Sequence, residues 1–286
     1  MSVGASDIDD VAAMIASEIP AASAGTEQRG DEVVFWVREG EAAAALAETR
    51  DAVARWQAGG LAVDPVRVRI ATALPEAEWR DAWKRYFHAS RLTRQFVVVP
   101  SWERFAPGPE DVVIDLDPGM AFGTGTHAST RLVLEEIQAV ADRAVAPGRV
   151  LDVGCGSGIL AIAAAKRWPD AVCVAIDHDP NAVAATRENA AINRVADRIA
   201  VSAGPLAPET TEPFALVLAN IQAHVLRELR AALIASTAPG GTLVLSGLLT
   251  PQAQPLADEF VAAGMQCVHV RASTDDPQWS CAVLVR

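Results

Sequence analysis

Three glycines at alternate positions mark a turn in which a ligand could lie directly against the main chain. They are Gly154, Gly156 and Gly158, and they follow the apolar run 150–153 and precede the alanine-rich stretch 159–166. An apolar run, a glycine turn and a helix are typical of the first half of a nucleotide-binding βαβ unit. Glycine suits such a turn because it opens φ/ψ space and lets a ligand approach the backbone. We therefore predict a cofactor site that includes Gly154 and Gly156.

Two polar residues at the ends of predicted strands extend this site. Asp177 follows the apolar stretch 171–176, about 20 residues beyond the glycines, where a carboxylate can accept hydrogen bonds from a ribose diol. Asn220 follows the apolar stretch 214–219 and is expected to face the crevice in which open α/β sheets bind ligands. Local turn chemistry is the alternative for Asn220, because asparagine is common at strand ends.

The glycine spacing favours a single nucleoside over a dinucleotide. The pattern is GxGxG, and Ile159 stands where the dinucleotide pattern GxGxxG has its last glycine. A second mononucleotide-binding half is also missing, because the chain ends in a predicted strand pair. S-adenosylmethionine carries one adenosine and an amino-acid tail without a pyrophosphate, so a glycine loop and Asp177 would suffice to bind it. The residues thus favour a methyl donor over a nicotinamide cofactor.

A second glycine-rich segment, residues 117–130, combines residue types that plain connectors seldom contain. Three glycines stand there beside Phe122 and His127. Loops at the edge of a rigid α/β sheet commonly carry function. A flexible connector is the alternative, and the composition of the loop favours function over it.

The first 74 residues have the pattern of a small α+β domain. Apolar spacing predicts helices over 7–19 and 41–57, and strand patterns cover 33–37 and 66–70. Because it contains no catalytic constellation, we expect this domain, 1–74, to bind or position a partner, with simple packing as the alternative.

The rest of the chain divides into a linker and a larger domain. A helix predicted over 76–88 carries an aromatic stripe of the kind that usually packs, and we place it in a connecting segment, 75–95. Asp179, followed by Pro180, is predicted to cap a helix. In the large domain, 96–286, strands are predicted over 96–99, 112–116, 150–153, 171–176, 199–201, 214–219, 242–247, 265–271 and 279–285, and helices from Thr130 to about Ala144 and over 159–166, 181–193, 223–235 and 251–263.

Composition narrows the protein class. The 286 residues are 51% hydrophobic and carry a net charge of -12, which supports a globular protein and disfavours one that grips a long phosphate backbone. Solubility and attraction of a basic partner both remain open as reasons for the acidity. Four dispersed cysteines without a CxxC pair, and an N-terminus without a signal-peptide pattern, predict a reduced, cytoplasmic protein. No spacing of His, Cys and carboxylates indicates a metal site.

Several segments together resemble the ribosomal protein L eleven methyltransferase (PrmA) family. The most specific is the Phe122–His127 stretch FGTGTH, since class I methyltransferases in general share the glycine block. The resemblance covers roughly residues 79–286. The segments that carry it are 83–87 (WKRYF), 99–103 (VPSWE), 117–127 (DPGMAFGTGTH), 151–162 (LDVGCGSGILAI) and 219–221 (ANI).

The resemblance implies a fold, a reaction and a partner. The fold is α/β: a Rossmann-like class I methyltransferase domain, with a mostly parallel seven-stranded sheet and a C-terminal antiparallel strand, preceded by a small α+β domain. The reaction is transfer of methyl groups from S-adenosylmethionine, without a metal, to lysine side chains and an N-terminal amine. The partner is a ribosomal protein of the large subunit, free or on the ribosome, and we expect a monomer that binds neither a membrane nor a specific nucleic-acid sequence.

Carried over position by position, the family's cofactor contacts fall on Thr130, Gly154, Asp177 and Asn220. The chain departs from the family at two places. Ala128 and Ser129 stand where the family has Pro-Thr, and residues 1–6 lack the strand pattern with which the family's substrate domain opens.

The reaction itself restricts what the catalytic residues must do. A sulfonium donor is already activated, so displacement requires mainly an unprotonated amine in line with the methyl group. We expect Asn220 to orient that amine, Phe122 to shield the site, and His127 to accept a proton or contact the substrate. A hydrogen bond that stabilises the loop is the equal alternative for His127.

Other functions remain open on the sequence alone. A methyltransferase for another protein or a small molecule would use the same donor site. A nucleic-acid methyltransferase is disfavoured, because Asn220 precedes Ile-Gln-Ala instead of Pro-Pro-aromatic. A non-enzymatic protein that keeps the fold as a scaffold is the third possibility.

Overall fold

The computed structural model divides the chain into two compact units, Met1–Asp81 and Ala82–Arg286. Residues 118–126, with Phe122, and all of the predicted helix 76–88 except His88 lie outside the described residues. No helix within the described residues is long and apolar enough to span a bilayer. The structure describes residues 11, 14–15, 19, 27–29, 32–35, 37, 39–58, 63, 68–70, 88–117, 127–143, 146–206 and 212–286.

The described part of the first unit contains one hairpin, one long helix and, within the predicted helix 7–19, the helical residues 11, 14 and 15. Strands β1 (Glu27–Arg29) and β2 (Glu32–Val34) pair antiparallel. Helix α1 (Ala42–Ala58) follows a single 3-10 turn, which confirms the predicted alanine-rich helix. Apolar residues from these elements and from the chain around them form one buried cluster: Val11, Ile15, Ile19, Val33, Ala52, Val53, Trp56, Val63 and Val68.

The strand predicted over 66–70 is wrong in the part that the structure describes. Residues 68–70 form no strand. The Val68 carbonyl instead accepts hydrogen bonds from Arg50 of α1, at 3.1 Å from Nε and 2.9 Å from Nη2. Of the two apolar side chains described there, Val68 is buried and Ile70 is half exposed, so they do not share one buried face.

The second unit opens with a small sheet that packs into the main hydrophobic core. Strand β3 (Ser90–Arg91) pairs antiparallel with β4 (Phe96–Val99), which pairs parallel with β5 (Val112–Asp115). Both longer strands were predicted. Phe96 and Ile114 are fully buried in the same cluster as the central sheet, so this small sheet is part of the large domain.

The central sheet of the second unit has seven strands. Their order is β11-β12-β10-β9-β6-β7-β8, and β12 alone runs antiparallel to the others. This confirms the predicted mostly parallel sheet with a C-terminal antiparallel strand. The order reverses between β6 and β9, which is where open α/β sheets bind ligands. The strands are β6 (Arg149–Val153), β7 (Val172–Asp177), β8 (Ile199–Ala203), β9 (Phe214–Asn220), β10 (Thr237–Leu249), β11 (Gln266–Ala272) and β12 (Trp279–Val285).

Helices cover both faces of this sheet, as a parallel sheet requires. On β9, Leu216 and Leu218 belong to one buried cluster, and Val217 and Ala219 belong to the other. The helices are α2 (Ala128–Asp142), α3 (Ile159–Arg167), α4 (Pro180–Ile192), α5 (Ala223–Glu228), α6 (Arg230–Ser236) and α7 (Thr250–Ala262).

One helix prediction is confirmed by the structure and another is wrong. Asp179 caps α4 as expected, since its Oδ1 accepts a hydrogen bond of 2.8 Å from the Asn181 amide and Pro180 occupies the first turn. The single helix predicted over 223–235 is instead two short helices that meet at Leu229, where the backbone is not helical.

A partly buried charge cluster fixes α2 to strand β11 at the edge of the sheet. The Glu136 side chain is only 6% exposed and lies 2.7 Å from Nε of Arg271 and 3.2 Å from Nε2 of His269. Arg271 also contacts Glu135 through Nη1 at 2.7 Å. The buried carboxylate therefore depends on its cationic partners.

We predict that Arg271→Met lowers the free energy of unfolding by about 3 kcal/mol, because it leaves the buried Glu136 carboxylate without its main counter-ion. The double variant Arg271→Met, Glu136→Leu removes both charges and should recover most of the loss. Denaturant unfolding of both variants measures this. If the double variant were no more stable than the single one, the charge pairing would not be the cause.

Candidate active site

The glycine loop lies at the carboxyl end of β6 and has a backbone that favours glycine at three positions. Gly154, Gly156 and Gly158 have φ values of 73°, 54° and 81°, in the left-handed region that other residues rarely adopt. A Cβ on Gly154 would collide with the Ile221 side chain, and a Cβ on Gly158 would lie 2.7 Å from Cγ2 of Thr186. The loop is thus held tightly against its neighbours.

Asp177 and Gly156, two residues predicted from sequence, contact each other. Asp177 is the last residue of β7 and is 8% exposed. Its Oδ2 accepts a hydrogen bond of 3.0 Å from the Gly156 amide, and its Oδ1 accepts one of 3.0 Å from the Asp179 amide. The carboxylate therefore stands beside the glycine loop in a fixed orientation, and each oxygen keeps a lone pair for a further donor.

Thr130 and Asn220 form a second contact between predicted residues. Nδ2 of Asn220 donates to Oγ1 of Thr130 at 3.2 Å, and Thr130 lies in the first turn of α2. Asn220 ends β9, which pairs with β6 directly before Gly154. All four residues therefore lie at the carboxyl edge of the sheet, on or beside three adjacent strands.

Two buried oxygens at this edge have no hydrogen-bond partner among the described residues. They are Oδ1 of Asn220 and Oδ1 of Asp152. A buried acceptor without a donor is costly, so each is a position where a ligand donor would be stabilising.

Asp152 was not selected as a site residue from sequence. It lies on β6 directly before the glycine turn, is 1% exposed, and accepts a hydrogen bond of 3.1 Å from the Ala161 amide through Oδ2. Burial, joined by the negative charge of Asp177, raises the pKa of its carboxyl to about 7 against the bond from Ala161. An acidic residue inside an otherwise apolar strand was the signal that could have identified it.

His127 occupies the N-cap of α2. Its Nδ1 accepts from the Ser129 amide at 3.3 Å and lies 2.8 Å from Oγ of Ser129. Its ring meets Trp279 edge to face, with ring centroids 4.5 Å apart. Because Nδ1 is occupied by these bonds, the geometry supports the loop-stabilising alternative more than a proton acceptor. The catalytic role of His127 stays a prediction, and Phe122 lies outside the described residues.

The described residues contain no group of three or more His, Cys, Asp or Glu side chains that could hold a metal ion. Cys155, inside the glycine loop, is also a poor nucleophile, because burial raises the pKa of its thiol to about 12. This edge carries hydrogen-bond acceptors, a carboxylate and the partly exposed backbone of Gly154 and Gly156, which suit binding and orientation of a ligand.

We predict that Asp152→Asn changes how stability depends on pH. The carboxyl has a pKa of about 7 in the folded protein against 3.8 as its ordinary value, so the folded state holds the proton more tightly. Wild-type stability should then fall as pH rises from about 4 to about 7, by roughly 4 kcal/mol in total from this group. Asparagine stays neutral and can still accept from Ala161.

Urea unfolding of wild type and Asp152→Asn at pH 4.5, 6 and 8 checks this. The stability difference in favour of the variant should grow with pH and level off above about 7. If the free energy of unfolding varied with pH in the same way in both proteins, Asp152 would not titrate in this range.

Comparison with known proteins identifies the family of this chain. Residues 16–286 match the family described as Ribosomal protein L11 methyltransferase (PrmA). Relatives bearing that name in Geobacter metallireducens and Geobacter sulfurreducens are 45% and 42% identical over 210 and 219 residues. Those alignments cover 73% and 77% of this chain and 67% and 70% of the relatives.

A solved structure titled as ribosomal protein L11 methylase from Lactobacillus delbrueckii subsp. bulgaricus is 32% identical, with a TM-score of 0.62. The match covers 70% of this chain and 99% of that one. With the family match spanning nearly the whole sequence, the chain belongs to the ribosomal protein L11 methyltransferase (PrmA) family.

Proposed function

We propose that this protein transfers methyl groups from S-adenosylmethionine to amino groups, on lysine side chains and the N-terminal amine, of a large-subunit ribosomal protein. The observation that carries the proposal is the pair of contacts Gly156–Asp177 and Thr130–Asn220 at the carboxyl edge of the sheet. Together they bring the predicted donor-binding residues to the switch point of a fold shared with the family.

The residues at this edge fit S-adenosylmethionine. The Asp177 carboxylate would accept hydrogen bonds from the ribose hydroxyls, and the backbone at Gly154 and Gly156 would lie against the methionine tail. The unpartnered Oδ1 of Asp152 would accept from the ammonium of that tail. When bound, the sulfonium supplies an activated methyl group.

The acceptor amine must be neutral to attack. A lysine amine has an ordinary pKa near ~10.4, so the site must favour the unprotonated form. Oδ1 of Asn220 is suited to this, because an amide oxygen accepts one N–H without stabilising the ammonium as a carboxylate would. Its Nδ2 is held by Thr130, which fixes the orientation of the amide.

Partner recognition is assigned to the first 74 residues. Met1–Asp81 contains 15 acidic and 7 basic residues, a balance that would attract a basic ribosomal protein. We further propose a monomer that acts in the cytoplasm, where its ribosomal substrate is made, and needs no metal.

Two tests distinguish the proposed function from its alternatives. The alternatives are a methyltransferase for a small molecule or another protein, and a scaffold without activity. Failure to bind S-adenosylmethionine would remove every methyltransferase function. Binding without transfer to the ribosomal protein would favour the other two functions.

We predict that Asp177→Ala raises the Kd for S-adenosylmethionine by 100-fold or more, because it removes two charge-assisted hydrogen bonds worth about 1.5–3 kcal/mol each. Calorimetric titration measures the change. Asp179→Ala is the matched control, since it removes a carboxylate two residues away that caps α4. Equal affinity in wild type and Asp177→Ala would contradict the ribose assignment.

We predict that Asn220→Asp slows methyl transfer to ribosomal protein L11 at pH 7 by about tenfold or more, because a carboxylate stabilises the ammonium form of the acceptor. The deficit should shrink as pH rises and the amine loses its proton. Mass spectrometry of the ribosomal protein between pH 7 and 9.5 follows the reaction. A deficit independent of pH would mean that Asn220 does not control the protonation of the amine.

A further inference from the structure

Helix α4 carries a line of polar residues on the side that faces the protein interior. Thr186, Asn189 and Asn193 are spaced by three and four positions, so they share one side of the helix axis. Thr186 is fully buried and Asn193 is 5% exposed. Buried polar side chains are destabilising unless bonded, so their partners indicate what this line, the polar stripe of α4, is for.

The first two residues of the stripe hold the glycine loop. Oγ1 of Thr186 lies 2.9 Å from the Gly156 carbonyl and 3.2 Å from Sγ of Cys155. Nδ2 of Asn189 donates to the Ser157 carbonyl at 2.8 Å. Three consecutive loop residues are thus fixed by one helix.

The last residue of the stripe holds a different segment, the end of β5. Oδ1 of Asn193 accepts from the Asp115 amide at 2.9 Å, and its Nδ2 donates to the Asp115 carbonyl at 2.7 Å. A carboxamide offers a donor and an acceptor as a peptide group does. Asn193 therefore bonds the Asp115 backbone as a neighbouring strand would. Strand β4 pairs with the other edge of β5.

The strand held in this way leads directly into the segment 118–126. Lys166 of α3 also bonds this strand, because its Nζ donates to the Val113 carbonyl at 2.6 Å. Asp117 is fixed in turn by the Ser101 amide and hydroxyl at 2.6 and 2.7 Å. The chain directly before residue 118 is therefore held by Asn193, Lys166 and Ser101, which lie outside that segment.

We propose that the polar stripe of α4 sets the position of the glycine loop relative to the end of β5, with Thr186 and Asn193 as positioning residues for the methyl-transfer reaction. This inference rests on the proposed function. Thr186 acts through Gly156 on donor binding. Asn193 acts through Asp115 on the end of β5, from which the chain continues to His127, a predicted contact of the protein substrate. Neither side chain contacts the reacting atoms.

The effects of the two residues should separate. Thr186→Val keeps the shape and removes the hydroxyl, and we expect it to raise the Kd for S-adenosylhomocysteine about tenfold, the equivalent of one hydrogen bond. Thr186→Ser keeps the hydroxyl and should restore the Kd to within about twofold. Asn193→Leu should leave that Kd within about twofold but lower kcat/KM for ribosomal protein L11 about tenfold.

The experiment combines calorimetry, methyl-transfer kinetics and hydrogen exchange on the full chain. Exchange in peptides covering 112–127 should rise in Asn193→Leu, and exchange in peptides covering 153–160 should rise in Thr186→Val. Glu188→Gln, an exposed change on the same helix, is the matched control and should change neither. If Asn193→Leu does not fold, Asn193→Asp replaces it, since it keeps one of the two bonds to Asp115.

The outcomes distinguish this inference from the proposed function. Equal changes in both peptides for each variant, or no departure from the control, would overturn the positioning role and leave the proposed function intact. Wild-type protein that binds S-adenosylhomocysteine without methylating the ribosomal protein would overturn the proposed substrate. The exchange changes in the two peptides and the Kd for S-adenosylhomocysteine would then still test whether the stripe positions the glycine loop and the end of β5.

Discussion

The close packing of the glycine loop against its neighbours is the constraint on which the rest of the large domain depends. The loop must turn from β6 into α3 with three residues in the left-handed region, and Ile221 and Thr186 leave no room for a Cβ at Gly154 and Gly158. Those neighbours come from the chain after β9 and from α4. The glycine loop therefore packs closely against both of these segments. A ligand at this edge therefore meets backbone from β6 and side chains from β7 and β9 at the same place.

Two polar groups at this edge are costly to the fold as they stand. Oδ1 of Asp152 and Oδ1 of Asn220 are buried without a donor in the described residues, and burial raises the pKa of the Asp152 carboxyl to about 7. Their presence is consistent with donors supplied by S-adenosylmethionine and by the acceptor amine.

Much of the large domain could be predicted from the sequence because its elements have strong local signals. Most of the seven strands contain a short apolar run, the cap at Asp179 precedes a first-turn proline, and the glycine spacing identifies a nucleotide loop. Where local signals were weak the predictions were wrong. Residues 68–70 do not form a strand, and the Val68 carbonyl accepts hydrogen bonds from Arg50 instead. The helix after Asn220 is broken at Leu229, a change that apolar spacing alone does not indicate.

The sequence by itself determined which chemical groups are available: the glycines, Asp177, Asn220, Thr130 and the family motif that contains His127. Residue type and spacing carry that information, since they depend only on local backbone preferences. Only the tertiary structure decided which groups meet. The Asp177–Gly156 and Asn220–Thr130 contacts, the burial of Asp152 and the two-ended stripe of α4 join residues far apart in sequence. Such contacts depend on strand order and packing, and no local pattern encodes them.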